Sequence, residues 1–279
     1  MNNISILGQL PTPRVDEFLY KLGTGRIFSL FDLVTSFHQI TVHEDTISFT
    51  AFCTPTRLFE SLVMPQGSNE APGWFVKVIN EVIKGLANVA TYLDDVIVFD
   101  SDPSVHVHTI TGLFKQLRKH NLKLSLSKAK IGATDADSLD LTISLAGMRP
   151  NASKVAALTK TPMSEDVKQL RSLFGGLTYH GKTLADMTKR IRPTTSLLKH
   201  RLKFVSSPST ETIVKTLLEA LSAPPVLVYP DRGAVTDNSR PFLLYCDASV
   251  GACGAILARE QKDGSIRPIV IIGRATLES

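Results

Sequence analysis

Apolar residues recur along the chain at two spacings, one typical of strands and the other typical of helices. Three early runs have β-type composition and predict strands: Arg26–Leu33, Ile40–Val42 and Ile47–Phe52. A helix is predicted next, because apolar residues recur every three or four positions from Trp74 to Leu86, and Pro72 suits its first turn. The first third of the chain therefore predicts a mixture of strands and helix.

Two apolar runs separated by a pair of aspartates, Asp94 and Asp95, predict a β-hairpin in the sequence VATYLDDVIVF. The aspartates lie at or beside its turn. A second helix is predicted to begin at Asp102 and Pro103, which favour a helix N-terminus, and to end near Asn121. The hairpin and helix continue the mixed pattern.

Two histidines of this second helix, His106 and His108, are separated by two positions, so their side chains point to different faces. We expect structural roles for both and no shared metal ion. Later patterns predict further elements. The helices are Ser153–Leu158, Asp166–Leu177 and Glu211–Leu221, and the strands are Leu139–Leu145, Pro241–Cys246, Gly254–Leu257 and Pro268–Ile272.

The adjacent carboxylates Asp94 and Asp95 are the strongest chemical signal, because they interrupt two apolar strands. A carboxylate near an apolar core loses hydration, and one bound divalent cation can compensate that loss for both adjacent carboxylates. A polar hairpin tip that faces water is the simpler alternative for the dipeptide alone. Asp32 ends another predicted strand, and one shared sheet would bring three carboxylates together, as two-metal phosphoryl transfer requires.

Three motifs resemble those of reverse transcriptases, and they occur in that family's order. They are FDLVTSFHQI at Phe31–Ile40, LVMPQGSNEAPGWF at Leu62–Phe75 and YLDD at Tyr92–Asp95. The resemblance is closest to the polymerase of gypsy-class LTR retrotransposons and extends from about Pro11 to the end. It implies an RNA-directed DNA polymerase, a nucleotidyltransferase that acts on a primed RNA or DNA template with deoxynucleoside triphosphates.

The resemblance also implies an α+β fold in four parts. Residues 1–150 would form part of the fingers and the palm, and residues 151–205 a helical thumb-like region. Residues 206–239 would form a connection, and residues 240–279 a truncated RNase H-like α/β sheet. These boundaries are what the resemblance implies for this sequence.

Carried over to this sequence, the family's catalytic residues are Asp32, Asp94 and Asp95, which would hold two Mg²⁺ ions, with Mn²⁺ as a substitute. Leu33 would contribute its backbone carbonyl to the same ions. The primer 3′-hydroxyl would then attack the α-phosphate of an incoming deoxynucleotide, and catalysis would come mainly from positioning and charge neutralisation.

The resemblance assigns nucleotide binding to Phe37, Gln66 and Gly67. Phe37 matches the aromatic residue that blocks a ribose 2′-hydroxyl, and the other two match the loop that lines the nucleotide. Core packing is the alternative for Phe37. For Trp74 core packing is the prediction.

The C-terminal sequence RPFLLYCDASVGACGAIL resembles the opening strands of an RNase H-like domain, in which Asp247 would be the first metal-binding carboxylate. That nuclease needs four acids. The later acids Glu260, Asp263 and Glu278 do not match the expected context, so we predict no RNase H catalysis by this chain.

Two departures from the family favour another hypothesis, a catalytically inactive, truncated retrotransposon remnant with at most nucleic-acid binding. Asp140 stands where the primer-grip hairpin usually has glycine, and its charge would repel a primer phosphate. The thumb run Tyr179–Thr183 lacks the usual arginine and last aromatic residue. A third hypothesis is an interaction protein that reuses the palm surface or the exposed edge of the truncated C-terminal sheet. It has no positive support in the sequence.

Composition and charge limit the kinds of partner and the cellular compartment that we expect for this chain. The 279 residues carry a net charge of +5, which permits a polyanionic partner without requiring one. Residues 112–130 and 189–203 contain several Lys and Arg and no acid, which fits a phosphate backbone as well as solvated helix faces. Three cysteines without a C-x-x-C pair, no signal-peptide pattern and no apolar run of about 18 residues predict an intracellular protein, cytoplasmic or nuclear, with no membrane partner.

Overall fold

A computed structural model describes residues 15–160, 166–179, 191, 208–222, 226–230, 240–249 and 252–275. The chain divides into two compact units, residues 1–136 and 137–279. Among the described residues, no helix combines the length and hydropathy that crossing a bilayer requires. The four predicted domain boundaries stay predictions.

The described residues of the first unit form an antiparallel sheet of four strands in the order β4-β5-β1-β6, with three α-helices and a small hairpin. Its α-helices are α1 (Val15–Leu22), α2 (Ala71–Val82) and α3 (Pro103–Lys119). Its strands are β1 (Ile27–Asp32), β2 (Phe52–Cys53), β3 (Leu58–Phe59), β4 (Val89–Tyr92), β5 (Asp95–Asp100) and β6 (Lys130–Ala133).

Helices α2 and α3 cover one face of this sheet. Phe31 of β1 and Val96 of β5 face each other across the strands and share an apolar core with the helices, which includes Phe75, Ile79 and Leu113. Side chains alternate between the two faces of a strand, so the next residues along β1 and β5 project to the other face. Helices α2 and α3 therefore support the sheet from the face opposite Asp32 and Asp95. On the face of these aspartates, Phe28 and Ile97 are buried further along the strands, and Phe18 of α1 packs against Tyr92 of β4.

Two predicted strands are wrong. In the segment Ile40–Val42, only Thr41 forms an isolated bridge, and Ile47–Phe52 overlaps a 3₁₀ helix at Glu44–Thr50. The hydroxyls of Thr46 and Thr50 donate to backbone carbonyls three residues earlier. Such local side-chain bonds favour turns over strand pairing, and an apolar pattern does not reveal them.

A buried polar network joins β1, β5 and α3. His106 is 3% exposed, and its Nε2 lies 2.7 Å from Ser29 Oγ while its Nδ1 lies 2.8 Å from Asp100 Oδ2. Asn88 donates to the other oxygen of Asp100 at 2.7 Å. His108 is exposed. The prediction that the two histidines point to different faces is confirmed.

In its described part, the second unit contains helices packed around an apolar core and two three-stranded sheets. The helices described there are α4 (Ala152–Thr159), α5 (Val167–Tyr179) and α6 (Pro208–Ser222). One sheet consists of β7 (Asp135–Ser138), β8 (Leu141–Ser144) and β9 (Gly147–Pro150). The other consists of β10 (Phe242–Ala248), β11 (Ala252–Glu260) and β12 (Ile266–Ala275).

A close backbone approach depends on Gly147. Its φ is 129°, and a Cβ atom there would lie 2.2 Å from the carbonyl oxygen of Leu227. The neighbouring residue, Met148, exchanges two backbone hydrogen bonds with Leu227, at 2.8 and 2.9 Å. Only glycine accommodates both the dihedral angle and the contact.

Candidate active site

Asp32 and Asp95 are directly opposite each other at the ends of the two central strands, β1 and β5. Directly opposed residues in an antiparallel pair project to the same face, with Cβ atoms about 5 Å apart. Tyr92 of β4 is in turn opposite Asp95, so one row crosses three strands. The strand pairing thus brings together two carboxylates that are distant in sequence.

Asp94 occupies the turn of the β4–β5 hairpin together with Leu93, whose φ is 51°. The side chain of Asp94 is exposed, and the backbone carbonyl of Asp94 accepts a hydrogen bond from the N–H of Leu33 at 3.0 Å. Leu33 also bridges to Leu124, through bonds that use the carbonyls of Asp32 and Lys123. None of these bonds uses the Leu33 carbonyl, the oxygen that the resemblance assigns to a metal ion.

Lys128 is a site residue that the sequence analysis did not single out. Its Nζ lies 3.0 Å from Asp32 Oδ2, and the two side chains are 65% and 23% exposed. The sequence places Lys128 in a basic stretch, but nothing local indicates a partner 96 residues away.

The donor set fits a hard divalent cation, because three carboxylates and the Leu33 carbonyl supply only oxygen. The side-chain arrangement is not that of a closed metal site. In the described part of the chain, no three His, Cys, Asp or Glu side chains converge to hold a metal ion. Asp32 is instead paired with the ammonium group of Lys128.

The predicted nucleotide-binding residues lie on two segments. Phe37 is half-buried and packs edge-on against Phe75, with ring centroids 5.4 Å apart. Gln66 and Gly67 are exposed in a turn, and the φ of Gly67 is 95°. Trp74 is 44% exposed, with Lys77 Nζ 4.5 Å from its ring centroid, so the prediction that Trp74 packs in the core is wrong.

Two further predicted positions lie in the second unit. Asp247 is exposed on β10, opposite Gly254 of β11. Asp140 lies in the β7–β8 turn with a φ of 58°, and its Oδ1 is 3.2 Å from Lys154 Nζ. Asp140 therefore has a backbone conformation that favours glycine, the residue that the resemblance leads us to expect there.

Solved structures identify the fold. The foamy viral protease-reverse transcriptase in complex with an RNA/DNA hybrid matches with a TM-score of 0.88 and 19% identity, covering 99% of this chain and 37% of that chain. A form of the same protein in complex with double-stranded DNA matches with a TM-score of 0.86, covering 98% and 47%. The α+β prediction is confirmed: the fold is that of a reverse transcriptase.

The family is equally clear. The family described as "Reverse transcriptase (RNA-dependent DNA polymerase)" matches residues 5–173. The "RNase H-like domain found in reverse transcriptase" matches residues 207–279. The chain belongs to the reverse transcriptase family, whose members are nucleotidyltransferases that use divalent metal ions.

Relatives with curated descriptions are retrotransposon polyproteins. The Pol polyprotein from transposon 297 of Drosophila melanogaster is 34% identical over 93% of this chain and 24% of its own length. That from transposon opus of the same fly is 29% identical over 99% and 28%, and the Tf2-3 polyprotein of Schizosaccharomyces pombe is 27% identical over 93% and 19%. The chain thus spans about a quarter of the length of these relatives.

Proposed function

We propose that this chain acts as an RNA-directed DNA polymerase of retrotransposon origin, which extends a primer on an RNA or DNA template with deoxynucleoside triphosphates. The opposed pair Asp32–Asp95 at the ends of the central strands, with Asp94 in the adjoining turn, is the observation that carries this proposal. The Pol polyprotein relatives support it, as do the solved neighbours in complex with an RNA/DNA hybrid and with double-stranded DNA.

In this proposal Asp32, Asp94 and Asp95 hold two Mg²⁺ ions, for which Mn²⁺ substitutes, and the carbonyl of Leu33 adds a further oxygen. When bound, the divalent ions supply charge neutralisation at the phosphates and a more acidic primer hydroxyl. The two central strands carry Asp32 and Asp95 on a rigid, hydrogen-bonded ladder. Little reorganisation is then needed during the reaction, which favours catalysis by positioning.

The primer 3′-hydroxyl gives up its proton and its oxygen forms a bond to the α-phosphorus of the nucleotide. The bond between the α-phosphorus and the bridging oxygen to the β-phosphate breaks, and pyrophosphate is released. In the proposed arrangement the carboxylates orient the reacting groups from one face of the sheet, while α2 and α3 support it from the other face. Gln66 and Gly67, in their exposed turn, would contact the incoming nucleotide.

Primer extension tests the proposal directly. The full chain is given an RNA template, a DNA primer, deoxynucleotides and Mg²⁺ or Mn²⁺. Asp94→Asn and Asp95→Asn should each lower the rate on the order of a hundredfold or more. Glu81→Gln is the matched control, because Glu81 is an exposed acid on α2 that pairs with neighbouring Lys84. Activity that survives both Asn substitutions would contradict the assignment.

Phe37 is proposed to exclude ribonucleotides. Phe37→Ala should increase ribonucleotide incorporation relative to deoxynucleotide incorporation, because the ring would no longer block the 2′-hydroxyl. Phe114→Ala is the control, since Phe114 is also a partly exposed ring packed edge-on against a core phenylalanine, Phe31. An unchanged ratio with reduced stability would instead assign Phe37 to core packing against Phe75.

Nucleic-acid binding without catalysis is the second candidate function. The exposed Lys115, Lys119 and Lys123 of the acid-free stretch 112–130 favour binding. Asp140 in the β7–β8 turn counts against primer extension instead, because its charge would repel a primer phosphate. Folded protein that binds a primed template with strong salt dependence, yet extends no primer with either metal ion, would establish this alternative.

A further inference from the structure

Lys128 is fixed close to Asp32 by the backbone on both sides of it. The N–H of Ser125 donates to the carbonyl oxygen of Asp32 at 2.8 Å, and Lys130 pairs with Leu30 of β1. Between these two anchors, a turn is closed by a bond from the N–H of Lys128 to the carbonyl of Ser125. The strand that carries Asp32 therefore also holds the loop that carries Lys128.

The ammonium group of Lys128 and a divalent cation would need the same oxygen. Lys128 Nζ is 3.0 Å from Oδ2 of Asp32, a hydrogen-bonding distance. The lysine side chain is mostly exposed, so the ion pair is screened by water and is weak. A pair of that strength lowers the affinity of a competing cation several-fold without preventing its binding.

We propose that Lys128 is an internal competitor for the metal ion. It serves as the counter-ion of Asp32 in the metal-free protein, and it leaves the carboxylate when a divalent ion binds. This inference rests on the proposed function, because it takes Asp32 as a metal ligand. Lys128 is a positioning residue in this role, since it affects metal binding through its ion pair with Asp32.

The test is Mn²⁺ binding to the full chain without nucleic acid or nucleotide, measured from the free-Mn²⁺ signal in electron paramagnetic resonance. Lys128→Met should bind Mn²⁺ about two- to fivefold more tightly than the parent protein, because the competing charge is gone. Lys115→Met is the matched control. Lys115 is an exposed lysine on α3, which packs on the opposite face of the sheet from Asp32, so its loss should leave the affinity unchanged.

The same substitution in an Asp32→Asn background separates competition at this carboxylate from a general effect of charge. Lys128→Met should bring no gain there. A gain that persists in Asp32→Asn, or that is equalled by Lys115→Met, would overturn the inference. No gain in the parent background would overturn it as well.

Two outcomes distinguish failure of the inference from failure of the proposed function. If Asp32→Asn weakens Mn²⁺ binding and Lys128→Met does not change it, only the role of Lys128 is wrong. If Asp32→Asn leaves Mn²⁺ binding unchanged, Asp32 is not a metal ligand, and both proposals fail together.

Thermal unfolding gives a second readout, because the Mn²⁺-induced rise in Tm should be larger for Lys128→Met than for the parent protein.

Discussion

The substitution His106→Ala should destabilise the first unit strongly. Its imidazole bridges Ser29 of β1 and Asp100 of β5 with hydrogen bonds of 2.7 and 2.8 Å inside the protein. Removing it leaves one carboxylate oxygen of Asp100 buried without that partner. The other oxygen keeps its bond from Asn88, so the loss is confined to one side of the carboxylate.

The magnitude follows from these contacts. An unsatisfied buried group costs about 1–3 kcal/mol, and breaking a buried pair that includes a carboxylate costs about 3–5 kcal/mol in total. We expect His106→Ala to lower the free energy of unfolding by about 3–5 kcal/mol. With a urea m-value of about 1–3 kcal/mol/M, the unfolding midpoint should fall by more than about 1 M.

The assay is urea unfolding followed by tryptophan fluorescence. Trp74 is the only tryptophan of the chain and lies on α2, so its signal reports on the first unit separately from the second. His108→Ala is the control, because His108 lies on the same helix and is exposed. It should change stability by no more than about 0.5 kcal/mol. Equal midpoints for the two variants would refute the reasoning.

Three further predictions concern the second unit. Gly147→Ala should lower the free energy of unfolding by about 2–4 kcal/mol, because a Cβ atom would collide with the Leu227 carbonyl. It should also increase amide hydrogen exchange at Leu227, and unchanged exchange would contradict the prediction. Asp140→Gly should change stability by less than about 1 kcal/mol, since φ is 58°, and should tighten primer-template binding at low salt, measured by fluorescence anisotropy. The Ser265 hydroxyl and N–H donate to the ionised carboxylate of Asp263, which lowers its pKa below 3.8. These bonds stabilise the turn above that pH and are lost as the pH falls through the lowered pKa, and Ser265→Ala should raise the pKa in an NMR titration.

The elements with strong periodicity or clear end signals could be predicted from the sequence. The β4–β5 hairpin forms around the predicted aspartates, and α3 begins after Asp102, whose side chain accepts from the N–H groups of Ser104 and Val105. Similarly, Asn151 caps α4 by accepting from the N–H of Ser153. In each case the signal and the structure it specifies lie within a few residues of each other.

Features that depend on distant partners could not be predicted in this way. Strand β7 (Asp135–Ser138) has an acidic, polar sequence without an apolar run, and its pairing within a sheet defines it as a strand. Trp74 has the spacing of a core residue, but its helix turns it outward. Lys128 reaches Asp32 only because β6 pairs with β1. A local pattern carries no information about any of these contacts.

Strand β1 lies in the interior of its sheet, and this has a consequence for synthesis of the chain. Its neighbours β5 and β6 follow in sequence, so that Leu30 pairs with positions roughly 70 and 100 residues later. At about 5–20 residues per second, a ribosome needs on the order of 5–20 s to supply them. During that time an apolar strand with both edges unpaired is exposed to wrong pairing. The strand that bears Asp32 is therefore prone to mispairing during synthesis. The pair Asp32–Asp95 forms only after β5 has been made.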